Sequence, residues 1–244
     1  MQVEQSQRWP IDVALPVVGG QPVEPDVERF VMLVGERHGT DDPQVAALLA
    51  WKRYAYNVAL PVADAWEPHR LVPDVGLGNV VVSIVDDEPF LRLAVVEARW
   101  YNRDAPEGAA LTPLRAHHLD LVADRFRAIG RIGRRALDAF TAATVVSAVS
   151  NASRERDPFA SVDDLLGGLG GSLARMIEVA ELTTPEGHCV PMALRTACCL
   201  QYKTPAGGYC STCNLIDDDQ RTRQLAAHGY GWGRRPRPPE APGP

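Results

Sequence analysis

One stretch, CCLQYKTPAGGYCSTC at residues 198–213, contains four of the five cysteines in the 244-residue chain. These cysteines form an adjacent pair, Cys198 and Cys199, and a C-x-x-C pair, Cys210 and Cys213. A tight C-x-x-C turn can aim both sulfurs at one inorganic centre. The Pro-Ala-Gly-Gly run between the pairs is typical of a chain reversal, in which proline fixes one torsion and the glycines supply positive φ. We therefore predict that the reversal brings the two pairs together around a metal or a cluster.

Three kinds of site compete for this quartet. Structural zinc sites usually have two spaced ligand pairs, and the adjacent pair Cys198-Cys199 fits that spacing poorly. Disulfides are disfavoured because nothing else marks the chain as secreted, and thiols stay reduced in the cytoplasm. A thiolate-bound iron–sulfur cluster needs four ligands, which this stretch supplies. The spacing favours the cluster and leaves the zinc site open.

The residues around the cysteines resemble a known signature. Arg195 precedes the adjacent pair, Tyr202 follows it, and a Pro/Gly turn leads to the C-x-x-C pair, which is similar to the C-terminal segment of FhuF-type ferric siderophore reductases. The resemblance implies an oxidoreductase of iron uptake that transfers one electron to Fe(III)-siderophore and releases Fe(II). It implies a ferredoxin-like or flavin-dependent electron donor. It also implies a [2Fe-2S] cluster with four ligands: Cys198, Cys199, Cys210 and Cys213.

Other residues near the quartet are candidates for secondary roles. Arg195 and Lys203 are candidates for contacting substrate or for raising the cluster potential through their positive charge. We also expect backbone N–H groups of the Gly-rich reversal to donate to the sulfurs. Cys189 lies outside the signature spacing, so we predict a small buried residue rather than a ligand.

Two other functions remain open at this stage. The first is a [2Fe-2S] electron carrier or redox sensor that binds no siderophore. The second is a zinc-stabilised binding protein without enzymatic activity.

Composition excludes some classes of protein. The net charge of −6 argues against a dedicated nucleic-acid binder. The first residues lack the basic and apolar regions of a signal peptide, and no apolar run reaches the roughly 18 residues of a membrane span. We expect a cytoplasmic protein with no transmembrane segment, either free or peripheral at the inner face of the membrane.

The first half of the chain predicts helices followed by strands. Asp26 is a predicted cap for a helix over Val27–Val34, and Asp41 or Asp42 for a helix beginning at Pro43. Lys52 lies on the apolar face of the second helix, which Pro61 is expected to kink or to end before a short helix reaching Trp66. Beta-branched runs predict a small antiparallel sheet over 70–72, 79–85 and 91–96, with a further strand at 13–18 and a polar loop at 97–108.

The second half predicts mainly helices, over 113–129, 134–151, 163–169 and 173–182, of which 134–151 is the central one. His117 and His118 are expected to be solvated or partly buried rather than ligands, because neighbours on a helix point about 100° apart. The basic cluster Arg127–Arg135 is interpreted as a solvated face, with anion recognition as the alternative. The Gly-rich run 167–171 indicates a flexible helix end rather than a phosphate loop.

These patterns together predict an α+β fold that is mostly helical with a small antiparallel sheet. We expect one domain over 1–233, with a cluster-binding segment at 186–216. The Pro-rich tail over 234–244 is expected to be disordered.

Overall fold

The computed structural model describes residues 3–6, 15–69, 72–85, 88–101, 114–152, 157–168 and 171–234. Its helices are α1 (Val27–His38), α2 (Pro43–His69), α3 (Asp120–Gly130), α4 (Arg134–Asn151), α5 (Pro158–Gly168), α6 (Gly171–Ala174) and α7 (Asp218–Ala226). Its strands are β1 (Val3–Ser6), β2 (Val72–Pro73), β3 (Val80–Ile84), β4 (Leu91–Val95), β5 (Ala98–Tyr101), β6 (Ile177–Thr183), β7 (Cys189–Arg195) and β8 (Gly231–Gly233). The mostly helical α+β class is confirmed.

The strands form three small sheets with the orders β1-β5-β2, β3-β4 and β7-β6-β8, and every strand pair is antiparallel. The strands predicted over 79–85 and 91–96 are therefore confirmed as the β3-β4 hairpin. Ala98–Tyr101 is a strand, so the predicted loop beginning at residue 97 is wrong there. The side chains of Trp100 and Tyr101 are buried, and aromatic residues favour strands.

Helices α1 and α2 begin where the sequence predicts. The carboxylate of Asp26 accepts a hydrogen bond from the Arg29 amide at 3.0 Å, and that of Asp42 accepts one from the Gln44 amide at 2.9 Å. Helix α2 is one continuous helix of 27 residues that includes Pro61, so the alternative of a second short helix after Pro61 is wrong. Pro61 is buried, and the packing of α2 into the core offsets the one backbone hydrogen bond that proline removes.

Helix α2 is the centre of the helical layer. It packs against α1, α3 and α4, and Trp51 is one of its fully buried residues. The Trp51 indole donates to the Leu137 carbonyl of α4 at 3.1 Å, and its ring meets that of Phe126 of α3 edge-on, with centroids 5.2 Å apart. These two contacts of Trp51 hold α2, α3 and α4 in fixed positions relative to one another.

His118 lies in this core, which corrects the expectation of a solvated or partly buried side chain. It belongs to a π-helical turn, Arg115–Leu119, that precedes α3. Its Nδ1 lies 2.5 Å from the Val75 carbonyl and its Nε2 lies 2.6 Å from the Tyr54 hydroxyl. A carbonyl can only accept, so Nδ1 carries the proton and Nε2 accepts from Tyr54. Burial lowers the pKa of His118 to about 4, and the ring is therefore neutral at pH 7.

The third sheet corrects the helix predicted over 173–182. Only the short α6 is helical there, and β6 begins at Ile177. Its Ile-Glu-Val-Ala-Glu-Leu sequence contains good helix formers, but it also contains the β-branched residues Ile177 and Val179, which favour strands. Pairing with β7 and β8 decides between the two patterns, and a single sequence does not contain that information.

Strand β7 carries the chain from the sheet to the cysteine segment. Pro191 is tolerated in it because β7 is an edge strand, so its missing N–H faces away from the ladder. The Pro191 carbonyl accepts from the Ser150 hydroxyl of α4 at 2.6 Å, which joins the sheet to the helical layer. In the ladder Cys189 pairs with Thr183 at one end and Arg195 with Ile177 at the other.

One hydrophobic core cluster includes residues from Leu15 to Cys199. The single-domain prediction over 1–233 stays a prediction. Arg234, the first residue of the predicted tail, forms ion pairs with Glu178 at 2.6 Å and Asp218 at 2.8 Å. The rest of the tail and part of the predicted strand at 13–18 lie outside the described residues, although Val17 bridges Val95. None of the helices in the described ranges is long and apolar enough to cross a membrane.

Candidate cluster-binding site

The four signature cysteines lie on a compact loop between β7 and α7. After the adjacent pair, Leu200 adopts the left-handed conformation with φ 57° and starts a 3-10 turn over Gln201–Lys203. The chain then reverses, and the Cys213 amide donates to the Cys210 carbonyl at 2.9 Å. The predicted reversal and C-x-x-C turn are therefore both present.

The glycines of the reversal act differently from the prediction. Among the described residues with positive φ are Gly19, Gly39 and Leu200, but neither Gly207 nor Gly208. Gly207 is required for space, because a Cβ atom there would lie 2.2 Å from the Gln201 carbonyl oxygen. Gly208 faces open space. The positive φ that the loop needs is supplied by Leu200, directly after the adjacent cysteines.

The thiols approach one another in pairs. Cys199 Sγ and Cys210 Sγ are 3.7 Å apart. Two sulfurs at about 2.3 Å from one tetrahedral metal are about 3.8 Å apart, so this pair already has the separation of two ligands on one ion. Burial raises the pKa of Cys213, and its neighbours Cys210 and Cys198 raise it further. Cys198 therefore lies close to Cys213, and these two thiols form the second pair.

A pairwise arrangement suits a binuclear cluster, in which each iron takes two thiolates. Within the described ranges, no group of three or more His, Cys, Asp or Glu side chains is arranged as a site for a single metal ion. Cys199 and Cys213 are buried, whereas Cys198 and Cys210 are partly exposed. The loop therefore presents one edge of the thiol set to solvent.

Backbone amides donate to two of the sulfurs. The Leu200 amide lies 3.4 Å from Cys198 Sγ, and the Leu215 amide lies 3.4 Å from Cys213 Sγ. These donors follow the cysteines directly, whereas the Gly207 amide of the reversal donates to the Thr204 carbonyl at 2.9 Å. The predicted N–H···S hydrogen bonds are thus made by different residues, and such bonds stabilise thiolate ligands.

Arg195 lies beside the thiol pair, as its position ahead of the cysteines suggested. Its Nη2 donates to Cys210 Sγ at 3.0 Å, and its guanidinium stacks over the Phe140 ring of α4 at 4.3 Å. The residue is buried, and its Nε lacks a hydrogen-bond partner among the described atoms. A buried cation is costly without an anionic partner, and a thiolate at Cys210 would supply the negative charge.

The electrostatics of Cys210 agree with that arrangement. A hydrogen bond from Cys199 holds the pKa of the Cys210 thiol below its ordinary value, and the positive charges of Arg195 and Lys52 lower it further. The same contact raises the pKa of Cys199. Cys210 therefore loses its proton more readily than an ordinary cysteine, and the thiolate that results is the form that binds metal.

Lys203 is exposed on the 3-10 turn, and the second cation near the thiols is instead Lys52 of α2. The pKa of Lys52 is lowered, chiefly by desolvation and further by the charge of Arg195, while Cys210 and Cys199 oppose that shift. Sequence reasoning missed this residue, although a lysine within the apolar face of a helix was a usable signal.

Arg221 is a second residue that the sequence did not identify. Its guanidinium is buried and donates to the carbonyls of Ser211 at 2.5 Å and Cys213 at 3.2 Å, so α7 holds the C-x-x-C turn in place. The Arg221 guanidinium also lies over the Trp232 ring, 5.2 Å from the ring centroid. The one available signal was its spacing of four residues from Leu225, which puts both on the buried face of α7.

The remaining candidates lie away from these thiols. Cys189 is exposed, which corrects the prediction of a buried residue, and β7 separates it from Arg195 by about 20 Å of extended chain. In the basic cluster, Arg134 pairs with Asp120 and Asp138, and Arg127 pairs with Asp124. Those carboxylates neutralise two of the four arginines.

Comparison with known proteins agrees with this geometry. Residues 195–213 match the family model described as the FhuF 2Fe-2S C-terminal domain. The match starts at Arg195 and ends at Cys213, so it covers all four thiols and the arginine beside them. No curated protein is significantly similar to the chain. The matched description names a 2Fe-2S cofactor, which confirms the predicted cluster type, and the short match supports the assignment of this cysteine segment to the FhuF-type iron–sulfur family.

Proposed function

We propose that the protein is a ferric siderophore reductase that delivers one electron to a chelated Fe(III) and releases Fe(II). Cys198, Cys199, Cys210 and Cys213 hold its [2Fe-2S] cluster. The observation that carries the proposal is the buried Arg195 guanidinium beside Cys210, whose thiol is 3.7 Å from that of Cys199.

The residues of the loop have distinct roles in this proposal. When bound, the cluster accepts and donates one electron at a time, which is the stoichiometry of reducing Fe(III) to Fe(II). Arg195 and the amides of Leu200 and Leu215 offset negative charge on the sulfurs, so they favour the reduced state. Arg221 keeps the C-x-x-C turn in position from α7. The partly exposed Cys198 and Cys210 form the edge that a chelate approaches.

The electron balance of the reaction is simple. A ferredoxin-like or flavin-dependent donor supplies one electron, Fe(III) in the chelate gains it, and no covalent bond to carbon changes. Siderophores hold Fe(II) weakly, so the metal leaves after reduction. Each ~59 mV of unfavourable potential costs tenfold in equilibrium, and removal of Fe(II) is what draws the reaction forward. We expect the reaction in the cytoplasm, where thiols remain reduced.

The test is anaerobic stopped-flow reoxidation of the dithionite-reduced protein. Ferric desferrioxamine B and a ferric tricatecholate are mixed with it, with and without a ferrozine-type Fe(II) trap. We expect one electron to be transferred per cluster and the trap to increase the extent of reaction. Reoxidation no faster than in buffer with either chelate, even with the trap, would refute the reductase and leave the electron carrier or redox sensor as the function.

A further inference from the structure

A cavity of about 590 Å³ lies between α7 and the cysteine loop. Tyr209 and Ser211, the two covalent neighbours of Cys210, are among its lining residues. Cys210 is itself one of the two partly exposed thiols. The cavity therefore adjoins the ligand edge at which an electron would leave the protein.

The cavity has the size and chemistry of a small-molecule site. Ligand pockets of proteins measure about 300–1,000 Å³ and combine apolar walls with a few hydrogen-bonding groups. Tyr209 and Tyr230 bring aromatic rings to the lining, Leu225 is apolar, and Ser211 and His228 bring polar groups. Tyr209 also packs near Tyr202, with ring centroids 5.6 Å apart, which extends the aromatic surface over the reversal.

The wall nearest the cysteines is fixed by α7. The Gln224 side-chain amide donates to the Tyr209 carbonyl at 3.3 Å, and Arg221 of the same helix donates to the Ser211 carbonyl at 2.5 Å. These two hydrogen bonds flank Cys210. Helix α7 therefore holds the cavity wall at a fixed position relative to the Cys210 thiol. Electron transfer over a short distance requires such a fixed arrangement.

The absence of charged side chains among the lining residues limits which kind of molecule the cavity would bind. The lining residues include no Asp, Glu, Lys or Arg. A macromolecular donor that docks through ion pairs would find no charged partner within this cavity. A compact chelate, recognised through aromatic contact and hydrogen bonds to its ligand backbone, fits its volume and its lining.

We propose that this cavity is the binding site of the ferric chelate, with Tyr209 and Tyr230 as its walls. The inference rests on the proposed reductase function and specifies where its substrate binds. The chelate would lie against the peptide that carries Cys210. Because no fixed charge contributes, binding should change little with ionic strength, in contrast to an ion-paired docking site.

The test fills the cavity without removing a buried group. Ala227 lines the cavity and is exposed, with helical torsions that accept any L-residue, and Ala226 is an exposed neighbour outside the described lining. Ala227→Trp should weaken binding of gallium(III)–desferrioxamine B at least tenfold by calorimetry. Ala226→Trp is the matched control and should bind as wild type does.

Three further measurements make the outcome decisive. Both variants should keep the wild-type visible spectrum and midpoint potential, and wild-type binding should vary less than threefold between 50 and 500 mM salt, as expected for a site without fixed charge. Equal gallium-chelate binding by Ala227→Trp and wild type would overturn the site and leave the reductase proposal standing. Failure of the reductase itself appears separately, as a reduced wild-type protein that ferric desferrioxamine B and the ferric tricatecholate do not reoxidise, and the site falls with it.

Discussion

Arg195 is a buried cation whose guanidinium lies 3.0 Å from a thiol sulfur and stacks over an aromatic ring. The chain keeps this charge within the protein at a cost in desolvation, which its interaction with negative sulfur offsets. A positive charge so placed favours the reduced, more negative form of a bound cluster.

Replacing Arg195 by Gln should therefore lower the midpoint potential. Hydrogen bonds to charged groups contribute about 1.5–3 kcal/mol, and 1.4 kcal/mol corresponds to ~59 mV for one electron, so we expect a shift of about 60–130 mV. Spectroelectrochemical titration measures it. Lys203→Gln is the control, since Lys203 is exposed, and its shift should be much smaller. A filled cluster with an unchanged potential in Arg195→Gln would contradict this role.

Substitution of the cysteines separates ligands from a bystander. Cys210→Ser should lose most of its iron, because a hard hydroxyl replaces a soft thiolate. Cys189→Ser should keep wild-type iron content and visible spectrum, since that thiol is exposed at the far end of β7. Iron analysis of the two proteins, purified anaerobically side by side, decides the matter. Comparable iron loss in Cys189→Ser would place Cys189 in the ligand set.

At the residue scale, the sequence predicted what local spacing determines. The cysteine pattern and Arg195 lie within one short segment, so their proximity follows from chain geometry. Lys52 and Arg221 reach the same loop from α2 and α7, and their approach depends on tertiary packing. Lys203 is near in sequence but exposed, because the 3-10 turn directs it outward.

The reversal between the cysteine pairs is the element that builds the site. A Cβ atom added at Gly207 would lie 2.2 Å from the Gln201 carbonyl oxygen and 2.8 Å from the Thr204 carbonyl oxygen. A Cβ atom added at Gly208 would have no other atom within 4 Å. The two neighbouring glycines therefore differ in the space around them.

Gly207→Ala should destabilise the folded protein by about 2 kcal/mol or more, since backbone atoms must move to accommodate the methyl group. For a protein of this size that corresponds to a fall in Tm of roughly 4–8 °C, with reduced iron retention. Thermal unfolding followed by circular dichroism, together with iron analysis, tests this. Gly208→Ala should behave nearly as wild type does. The same Tm for both variants would mean that the loop does not need the close approach at Gly207.

Two elements show where sequence patterns are insufficient. The segment Ile177–Thr183 combines good helix formers with β-branched residues that favour strands, and its partners β7 and β8 are distant in sequence from one another. Helix α2 passes Pro61 because its surroundings compensate for the lost hydrogen bond. In both cases tertiary contacts outweigh a local preference.

Across the whole molecule, the buried His118 links three parts of the core. It joins α2 through Tyr54 and the segment after β2 through Val75, from the turn that precedes α3. Its side chain is neutral in the folded protein and gains a proton readily once the chain unfolds.

This difference predicts an acid-dependent loss of stability. The pKa of His118 is about 4 in the folded protein and about 6.5 when unfolded, so the unfolded chain binds the proton first. Its contribution is complete above pH 6.5 and falls as the pH approaches 4, by about 2 kcal/mol between pH 7 and pH 5. Urea unfolding of wild type and His118→Gln at pH 7, 6 and 5 measures it. In His118→Gln, the free energy of unfolding should fall by about 2 kcal/mol less than in wild type between pH 7 and pH 5. The same pH dependence in both proteins would show that His118 is not the responsible group.

The central claim concerns the cofactor on the cysteine loop. Its most direct test is iron and acid-labile sulfide analysis of the anaerobically purified protein, with visible spectra before and after dithionite. We expect about two iron atoms and two sulfides per chain and visible bands that bleach on reduction. A colourless protein with one zinc ion per chain would contradict the account.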